Sequence, residues 1–338
     1  MKKRTFLIML VVCAVSVLSL GTPLQASDEG QPVVFADFSW DSVQFHNRVA
    51  GFILEHGFGK KVLYSFTEEV PGFLGLERGD LQLAMETWVD NSAPYWEKAK
   101  KNGKMISLGK NFQDAPQGWY VPTYIIKGDP ARGIEPSAPD LKSVYDLPRY
   151  WKLFEDPEDE TKGRFLNGPT GWHVSITNAL KLEAYGLDRH FNNFHAGSAS
   201  ALAVGIASAY ERGNAVLAYY WEPTPLLGKY DMTKLEEPPY DPEVFNTTGG
   251  CDFPACRVLK TGNREFLEQE PDIRTFIERY TTTLEYTNQA LAFMEDNGLT
   301  HAEAAVEFLK KHPELWRKWL DEPAEGKVAT ALSDMGKK

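Results

Sequence analysis

The sequence lacks the short motifs that mark common enzyme and nucleotide-binding sites. It has no Gly-x-x-x-x-Gly-Lys-Ser/Thr phosphate loop, no His-Glu-x-x-His metal pair and no Gly-x-Ser-x-Gly nucleophile turn. A basic stripe is also missing, and the formal net charge is −11, whereas nucleic-acid-binding domains are basic. We therefore expect a protein that is not an enzyme, needs no metal or organic cofactor and does not bind nucleic acid.

Long apolar runs are absent after the first 26 residues. Basic residues at 2–4 precede the apolar stretch Phe6–Leu20, and Ala26 ends a segment that is typical of a signal-peptidase site. A membrane anchor is the alternative, but this stretch is shorter than the roughly 20 residues that span a bilayer. A lipid anchor at Cys13 fits less well, because too little apolar sequence precedes it. We expect residues 1–26 to be a signal peptide and the mature chain to be free in the periplasm.

Cysteine is scarce as well. After the leader only Cys251 and Cys256 remain. Two cysteines without a histidine at ligand spacing do not complete a zinc site. In an oxidising compartment this local pair predicts a disulfide, with two free thiols as the alternative.

The length and the patterning predict an α/β protein of two lobes. About 310 mature residues exceed one small core. Strand-like runs at Val33–Ala36, Lys61–Phe66 and Leu81–Glu86 alternate with amphipathic helices, the first of which is expected to end near Gly57. A β-α-β-α-β order of this kind predicts a mostly parallel sheet.

The middle of the chain repeats this alternation. Strands are expected at Tyr120–Ile126, at Arg164–Leu166 and at Val216–Tyr220. The charged stretch Glu155–Lys162 is expected to be a surface loop. Beyond Pro225 the chain is rich in loops before it ends in helices.

Aromatic residues are the feature that stands out. Trp40, Trp88, Trp172 and Trp221 all follow predicted strands, and Tyr120 lies where the chain is expected to cross between lobes. Ligands of open parallel sheets bind outside the carboxyl ends of the strands. Rings that converge there suit a quaternary ammonium ion, which is attracted to their negative faces. Stacking on a sugar is the competing interpretation.

These residues also lie in stretches that carry a family resemblance. The chain from about Val33 to Leu320 resembles the glycine betaine/choline-binding proteins of osmoprotectant ABC importers, which have the two-lobe type II periplasmic-binding-protein fold. The matching stretches are Phe38-Ser39-Trp40-Asp41-Ser42, Arg78-Gly79-Asp80-Leu81, Glu86-Thr87-Trp88, Gln117-Gly118-Trp119-Tyr120-Val121-Pro122 and Tyr219-Tyr220-Trp221-Glu222-Pro223. The resemblance implies a ligand cleft between a first lobe of residues 33–116 plus 228–330 and a second lobe of residues 119–226.

The resemblance also implies how the site works. Trp40 and Trp88 would form the walls of the first lobe, and Tyr120 and Trp221 those of the second. Trp172 departs from the choline-binding pattern, which has a polar residue there, and would add another wall. Lobe closure on a quaternary-ammonium ligand would be recognised by a membrane permease, and we expect the binding protein to be a monomer.

The polar end of the ligand has several candidate partners. The backbone N–H groups of Gly171, Trp172 and His173 precede a predicted helix and could bind a betaine carboxylate, although ordinary cap residues would look the same. Glu86 and Glu222 adjoin two of the box tryptophans. They either accept a hydroxyl hydrogen bond and add negative potential or lie exposed at the rim.

Overall fold

Strands and helices alternate along most of the chain, which the computed structural model describes from residue 31 to residue 335. The strands are β1 (Val33–Asp37), β2 (Val62–Phe66), β3 (Leu83–Trp88), β4 (Met105–Lys110), β5 (Gln117–Pro122), β6 (Glu155–Asp156), β7 (Asp159–Asn167), β8 (Phe191–His195), β9 (Leu217–Trp221), β10 (Met232–Lys234) and β11 (Val258–Asn263). The helices are α1 (Asp41–Phe58), α2 (Glu69–Arg78), α3 (Ala93–Asn102), α4 (Tyr124–Lys127), α5 (Leu147–Tyr150), α6 (His173–Ala184), α7 (Ala199–Glu211), α8 (Pro225–Lys229), α9 (Pro242–Thr247), α10 (Arg264–Gln269), α11 (Pro271–Arg279), α12 (Leu284–Asp296), α13 (His301–Lys311), α14 (Pro313–Trp316) and α15 (Glu322–Met335). The chain is an α/β protein, as the sequence predicts.

The first sheet has the strand order β2-β1-β3-β11-β4. β1 pairs in parallel with both β2 and β3, which confirms the predicted parallel β-α-β-α-β run. β11 comes from much later in the sequence and lies antiparallel to β3 and β4. The C-terminal part of the chain therefore returns to the first sheet.

The second sheet has the order β10-β5-β9-β7-β6, with β8 paired to β7. β7 runs parallel to β8 and β9, whereas β5 runs antiparallel to β9 and β10. Both sheets are therefore mixed, and the expectation of mostly parallel sheets is wrong. The reason is that β5 and β11 each follow a strand of the other sheet. No crossover helix links them to a neighbouring strand of their own sheet, and they pair antiparallel with those neighbours.

Three segments differ from the sequence-based expectation. The strand expected at Tyr120–Ile126 ends at Pro122, and its second half is helix α4. Glu155–Lys162 is not a loop, because β6 and β7 pair there and the Asp156 carboxylate accepts a hydrogen bond of 2.6 Å from Arg164. Two of the charges that suggested a solvent loop, Asp156 and Glu158, thus pair with Arg164 just beyond it. The return to the first sheet at residue 228 is also predicted too early, because β10 still pairs with β5.

Helix α1 shows how the sequence produces its element. Phe45, Val49 and Ile53 recur on one face and are fully buried. The C-terminal helices α13 and α15 pack against α1, and Phe308 of α13 meets the Phe45 ring edge-on at 5.3 Å. The helix ends at Phe58, where Gly59 takes a left-handed φ of 67°, two residues beyond the predicted stop at Gly57.

The two cysteines do not form the predicted disulfide; both are buried free thiols. The Cys251 sulfur lies 3.5 Å from the backbone of Asp241, and its carbonyl accepts a hydrogen bond from Lys181. Cys256 is held elsewhere, by an antiparallel backbone bridge to Ala115. Closeness in sequence suggested the bond, but the backbone fixes each cysteine to a different part of the fold.

The predicted signal peptide, residues 1–26, lies outside the described residues. Within residues 31–335, no helix is both long enough and apolar enough to cross a bilayer. The longest one, α1, has 18 residues and carries Asn47 and Arg48 in its middle.

A buried ion pair ties α6 to the segment that follows the second sheet. Lys181 and Glu237 are 2.6 Å apart, and both side chains have 0% exposure. Glu237 also accepts a hydrogen bond of 2.7 Å from the Tyr185 hydroxyl, and the ammonium group lies 4.2 Å from the centre of the Phe253 ring. Burial lowers the pKa of Lys181 and raises the pKa of Glu237, while each charge opposes the effect on its partner.

We predict that Lys181→Met lowers the free energy of unfolding by about 3–5 kcal/mol, because it leaves the Glu237 carboxylate without a counter-charge in a dry environment. Urea unfolding followed by tryptophan fluorescence measures the loss. Adding Glu237→Gln removes the stranded charge and keeps an acceptor for Tyr185, so this double variant should regain at least half of the loss. A double variant no more stable than Lys181→Met would contradict this account.

Candidate ligand-binding site

Four tryptophans meet in one cavity between the two sheets. Trp40 precedes α1 and Trp88 ends β3 on the first sheet, while Trp172 precedes α6 and Trp221 ends β9 on the second. Each is 4–5% exposed. The cavity has a free volume of about 20 Å³ and is lined by Trp40, Glu69, Trp88, Asn91, Trp172, Val174, Tyr219 and Trp221. We refer to it as the tryptophan cavity.

The rings stand nearly at right angles to one another. Trp172 is perpendicular to Trp40, with an interplanar angle of 86° and ring centres 5.5 Å apart. It is also nearly perpendicular to Trp221, at 80° and 5.0 Å. Phe38 stacks behind Trp40 at 4.9 Å and adds to the aromatic layer. Rings from both sheets thus form adjoining walls of the tryptophan cavity.

One buried carboxylate holds two of these walls. Glu86 Oε1 accepts hydrogen bonds of 2.9 Å from the indole N–H groups of both Trp40 and Trp88, and another of 2.9 Å from Ser42 Oγ. Glu86 has 0% exposure and does not line the tryptophan cavity. It is therefore neither an exposed rim carboxylate nor a ligand contact, but the support of two aromatic rings.

A second carboxylate holds Trp172. Glu68 Oε2 accepts hydrogen bonds of 2.6 Å from the Trp172 indole N–H and 3.0 Å from Ser39 Oγ. Glu68 directly precedes α2 on the first sheet, whereas Trp172 belongs to the second. This bond therefore joins the two sheets at the rim of the tryptophan cavity.

Glu69, the first residue of α2, lines the tryptophan cavity itself. It is 4% exposed, and its Oε2 accepts a hydrogen bond of 3.2 Å from the backbone N–H of His173 at the start of α6. Next to it, the Val70 N–H donates to the carbonyl of Gly171 at 3.2 Å. Helix α2 of the first sheet thus meets the start of α6 of the second.

Burial shifts the titration of both lining and supporting carboxyls. Desolvation raises the pKa of Glu86 to about 7, although the hydrogen bonds from Trp88, Ser42 and Trp40 oppose the shift. Desolvation likewise raises the pKa of Glu69 to about 7. Near neutral pH each group therefore exists in both its neutral and its charged form.

The other predicted site residues lie beside the tryptophan cavity rather than along it. The ring of His173 donates from Nδ1 to the Asn91 carbonyl at 2.6 Å, and burial lowers its pKa. Tyr120 is buried within β5, where desolvation raises its pKa. Glu222 follows Trp221, bonds through its N–H to the carbonyl of Pro116 at 3.0 Å and has a pKa raised by burial.

Sequence reasoning missed four lining residues, Glu69, Asn91, Val174 and Tyr219. Glu69 follows β2 and Asn91 follows β3, so both occupy the same strand-end positions as the predicted tryptophans. A search of strand ends for polar as well as aromatic residues would have included them. Tyr219 lies inside β9, and its position at the cavity depends on which face of the sheet its side chain occupies.

The chain resembles known proteins both in sequence and in fold. The model of the substrate-binding domain of ABC-type glycine betaine transport systems matches residues 31–311. A trimethylamine N-oxide-binding protein from Pelagibacter ubique (strain HTCC1062) is 25% identical over 319 residues, which cover 94% of this chain and 98% of that protein.

Solved structures with the same fold are more distant in sequence. A choline-binding protein of an ABC transporter, in complex with choline, superposes with a TM-score of 0.73 at 16% identity over 89% of this chain and 98% of that one. A glycine betaine/L-proline-binding protein from Borrelia burgdorferi gives a TM-score of 0.71 at 18% identity over 88% and 100%. These likenesses establish the expected type II binding-protein fold.

We predict that Glu86→Gln changes the pH dependence of stability in one direction. A carboxyl whose pKa is raised on folding stabilises the native state below its unfolded pKa and loses that contribution as pH rises through its folded pKa. From about pH 4.5 to about pH 7 the variant should therefore gain stability relative to the wild type, by no more than about 3 kcal/mol, and then stay level.

Thermal unfolding of both proteins across this pH range measures the difference. Glu303→Gln is the control, because hydrogen bonds from Thr300 lower the pKa of Glu303, so its effect should appear below about pH 4.5. A Glu86→Gln difference that is flat or falls between pH 4.5 and 7 would show that the wild-type carboxyl is not strained by burial.

Proposed function

The chain belongs to the family of substrate-binding domains of ABC-type glycine betaine transport systems, and we propose that its tryptophan cavity captures a small solute with a trimethylated nitrogen for an ABC importer. The observation that carries this proposal is the convergence of four tryptophans, two from each sheet, on one cavity. A trimethylated cationic nitrogen has no N–H to donate and is attracted to ring faces, each worth about 0.5–2 kcal/mol when desolvated.

The mainly aromatic lining of the cavity supports a small methylated ligand. In this arrangement about 20 Å³ is free, roughly the space of one water molecule, so the two sheets would have to move apart to admit a ligand. Trimethylamine N-oxide, which names the relative from Pelagibacter ubique, and choline and glycine betaine, which name structural neighbours, share the trimethylated nitrogen.

A sugar fits the lining less well. Several hydroxyls would need polar partners, yet the side chain of Asn91 is already paired reciprocally with Gln117 at 3.0 and 2.9 Å. The Tyr219 hydroxyl also donates to Gln117, at 2.7 Å. Few lining groups are left for hydroxyl recognition, so the alternative ligand class is disfavoured.

The two sheets would form the two lobes of a hinged clamp. One lobe would comprise residues 33–116 with the part of the chain from about residue 256 onward, and the other residues 119–234. The bonds Trp172–Glu68, His173–Glu69 and His173–Asn91 join the sheets around the cavity and would be lost on opening. Ligand contacts with rings on both sides would favour the closed form, which a membrane permease recognises.

The first 26 residues support export, and we propose a periplasmic, monomeric binding protein without catalytic activity. The basic residues at 2–4 and the apolar run Phe6–Leu20 form the pattern of a signal peptide. Because the lining contains no nucleophile paired with a base, delivery rather than chemistry is the role that the site supports.

We predict that Trp221→Ala weakens binding of a trimethylated solute at least about tenfold, because one desolvated ring face contributes up to about 2 kcal/mol. Isothermal titration calorimetry of the mature protein with trimethylamine N-oxide, choline and glycine betaine measures the affinities. At least one of the three should bind saturably to the wild type.

Two controls separate the cage from general packing. Trp151→Ala removes a partly buried tryptophan that packs against the core but does not line the cavity, so the affinity should stay close to that of the wild type. The uncharged tert-butyl isostere of choline should bind at least about tenfold more weakly than choline if attraction to the cation matters. Binding of maltose alone, or equal affinity for choline and its isostere, would refute the cage.

A further inference from the structure

Three of the four indole donors around the tryptophan cavity are used within the protein. The indole N–H groups of Trp40 and Trp88 donate to Glu86, and that of Trp172 donates to Glu68. Neither lysine nor arginine is among the described residues that line the cavity. A carboxylate, with about four acceptor sites, needs several donors when it leaves water.

Two backbone N–H groups at the start of α6 are already used within the protein. The Trp172 N–H donates to the carbonyl of Pro169 at 3.0 Å, and the His173 N–H donates to Glu69 Oε2 at 3.2 Å. A helix N-terminus favours an anion, but here the carboxyl of Glu69 already occupies that position. Glu69 reaches it from α2 on the opposite sheet.

We propose that Glu69 is a specificity-determining residue that takes the place of a ligand carboxylate at the start of α6 and thereby selects trimethylated solutes whose polar end is a single oxygen, above all an amine N-oxide, over betaines. The proposal rests on the proposed function, because it concerns the same cavity.

Two effects of Glu69 act against a betaine. Its side chain blocks the His173 N–H, and its negative form repels a second carboxylate in the same cavity. Burial raises the pKa of Glu69 to about 7, so a neutral carboxyl that can donate one hydrogen bond is also populated. One donor serves the single oxygen of an N-oxide, whereas a betaine carboxylate would be left with most of its acceptor sites unpaired.

The test compares trimethylamine N-oxide with glycine betaine in calorimetric titrations of the wild type, Glu69→Gln and Glu69→Ala. The wild type should bind the N-oxide at least about tenfold more tightly than the betaine. Glu69→Ala frees the His173 N–H and removes the charge, so this ratio should fall at least about tenfold. Glu69→Gln keeps an acceptor for His173 but not the charge, so its ratio should lie between the two.

Trp221→Ala is the control. The two ligands share the trimethylated nitrogen that this ring would contact, so its loss should weaken both by a similar factor and leave the ratio unchanged. A ratio near one in the wild type, or a ratio that Glu69→Ala and Glu69→Gln leave unchanged, would overturn the role of Glu69 while the cage stands. If neither ligand binds the wild type, the cage is refuted and the proposed selectivity with it.

Discussion

A single carboxylate oxygen controls the first-sheet half of the site. Glu86 Oε1 binds the indoles of Trp40 and Trp88, which come from different segments of the chain. Burying this carboxyl is costly, as its raised pKa indicates, and its hydrogen bonds offset only part of the cost. Because the two rings share one acceptor, a movement of this carboxylate would disturb both of them. Burial of the Glu86 carboxyl thus costs stability but fixes the positions of two rings of the cavity.

At the starts of α1 and α6, too, the placement of a ring costs local stability. Trp40 and Trp172 occupy the N-cap positions of α1 and α6, and neither side chain makes a capping hydrogen bond. Serine, threonine, aspartate or asparagine there would stabilise each helix by about 0.5–2 kcal/mol. Tryptophan is an unfavourable N-cap residue for both helices. Its presence is explained by the position of both rings at the cavity, since departures from local rules concentrate at functional sites.

Much of this arrangement could be predicted from sequence because strand ends and helix starts have local signals. The parallel run β1-β2-β3 and the strand-end positions of the four tryptophans follow from such patterns. The antiparallel entry of β5 and β11 could not be predicted, because it depends on pairings between distant segments. For the same reason the hydrogen bond between Glu69 and His173, 104 residues apart, and the separate anchoring of Cys251 and Cys256 became visible only in three dimensions.

The acidic groups around the cavity act together in a way that none would alone. Glu68 and Glu86 take up indole N–H groups, and Glu69 takes up a backbone N–H, so the protein consumes its own donors with its own carboxyls. What remains toward the cavity is mainly aromatic surface, bordered by negative potential. Such a site offers a methylated cation ring faces and nearby carboxyls, which stabilise it without hydrogen bonds, and it offers an anionic group few donors. The proposed selectivity therefore depends on which donors the fold withholds as much as on which rings it presents.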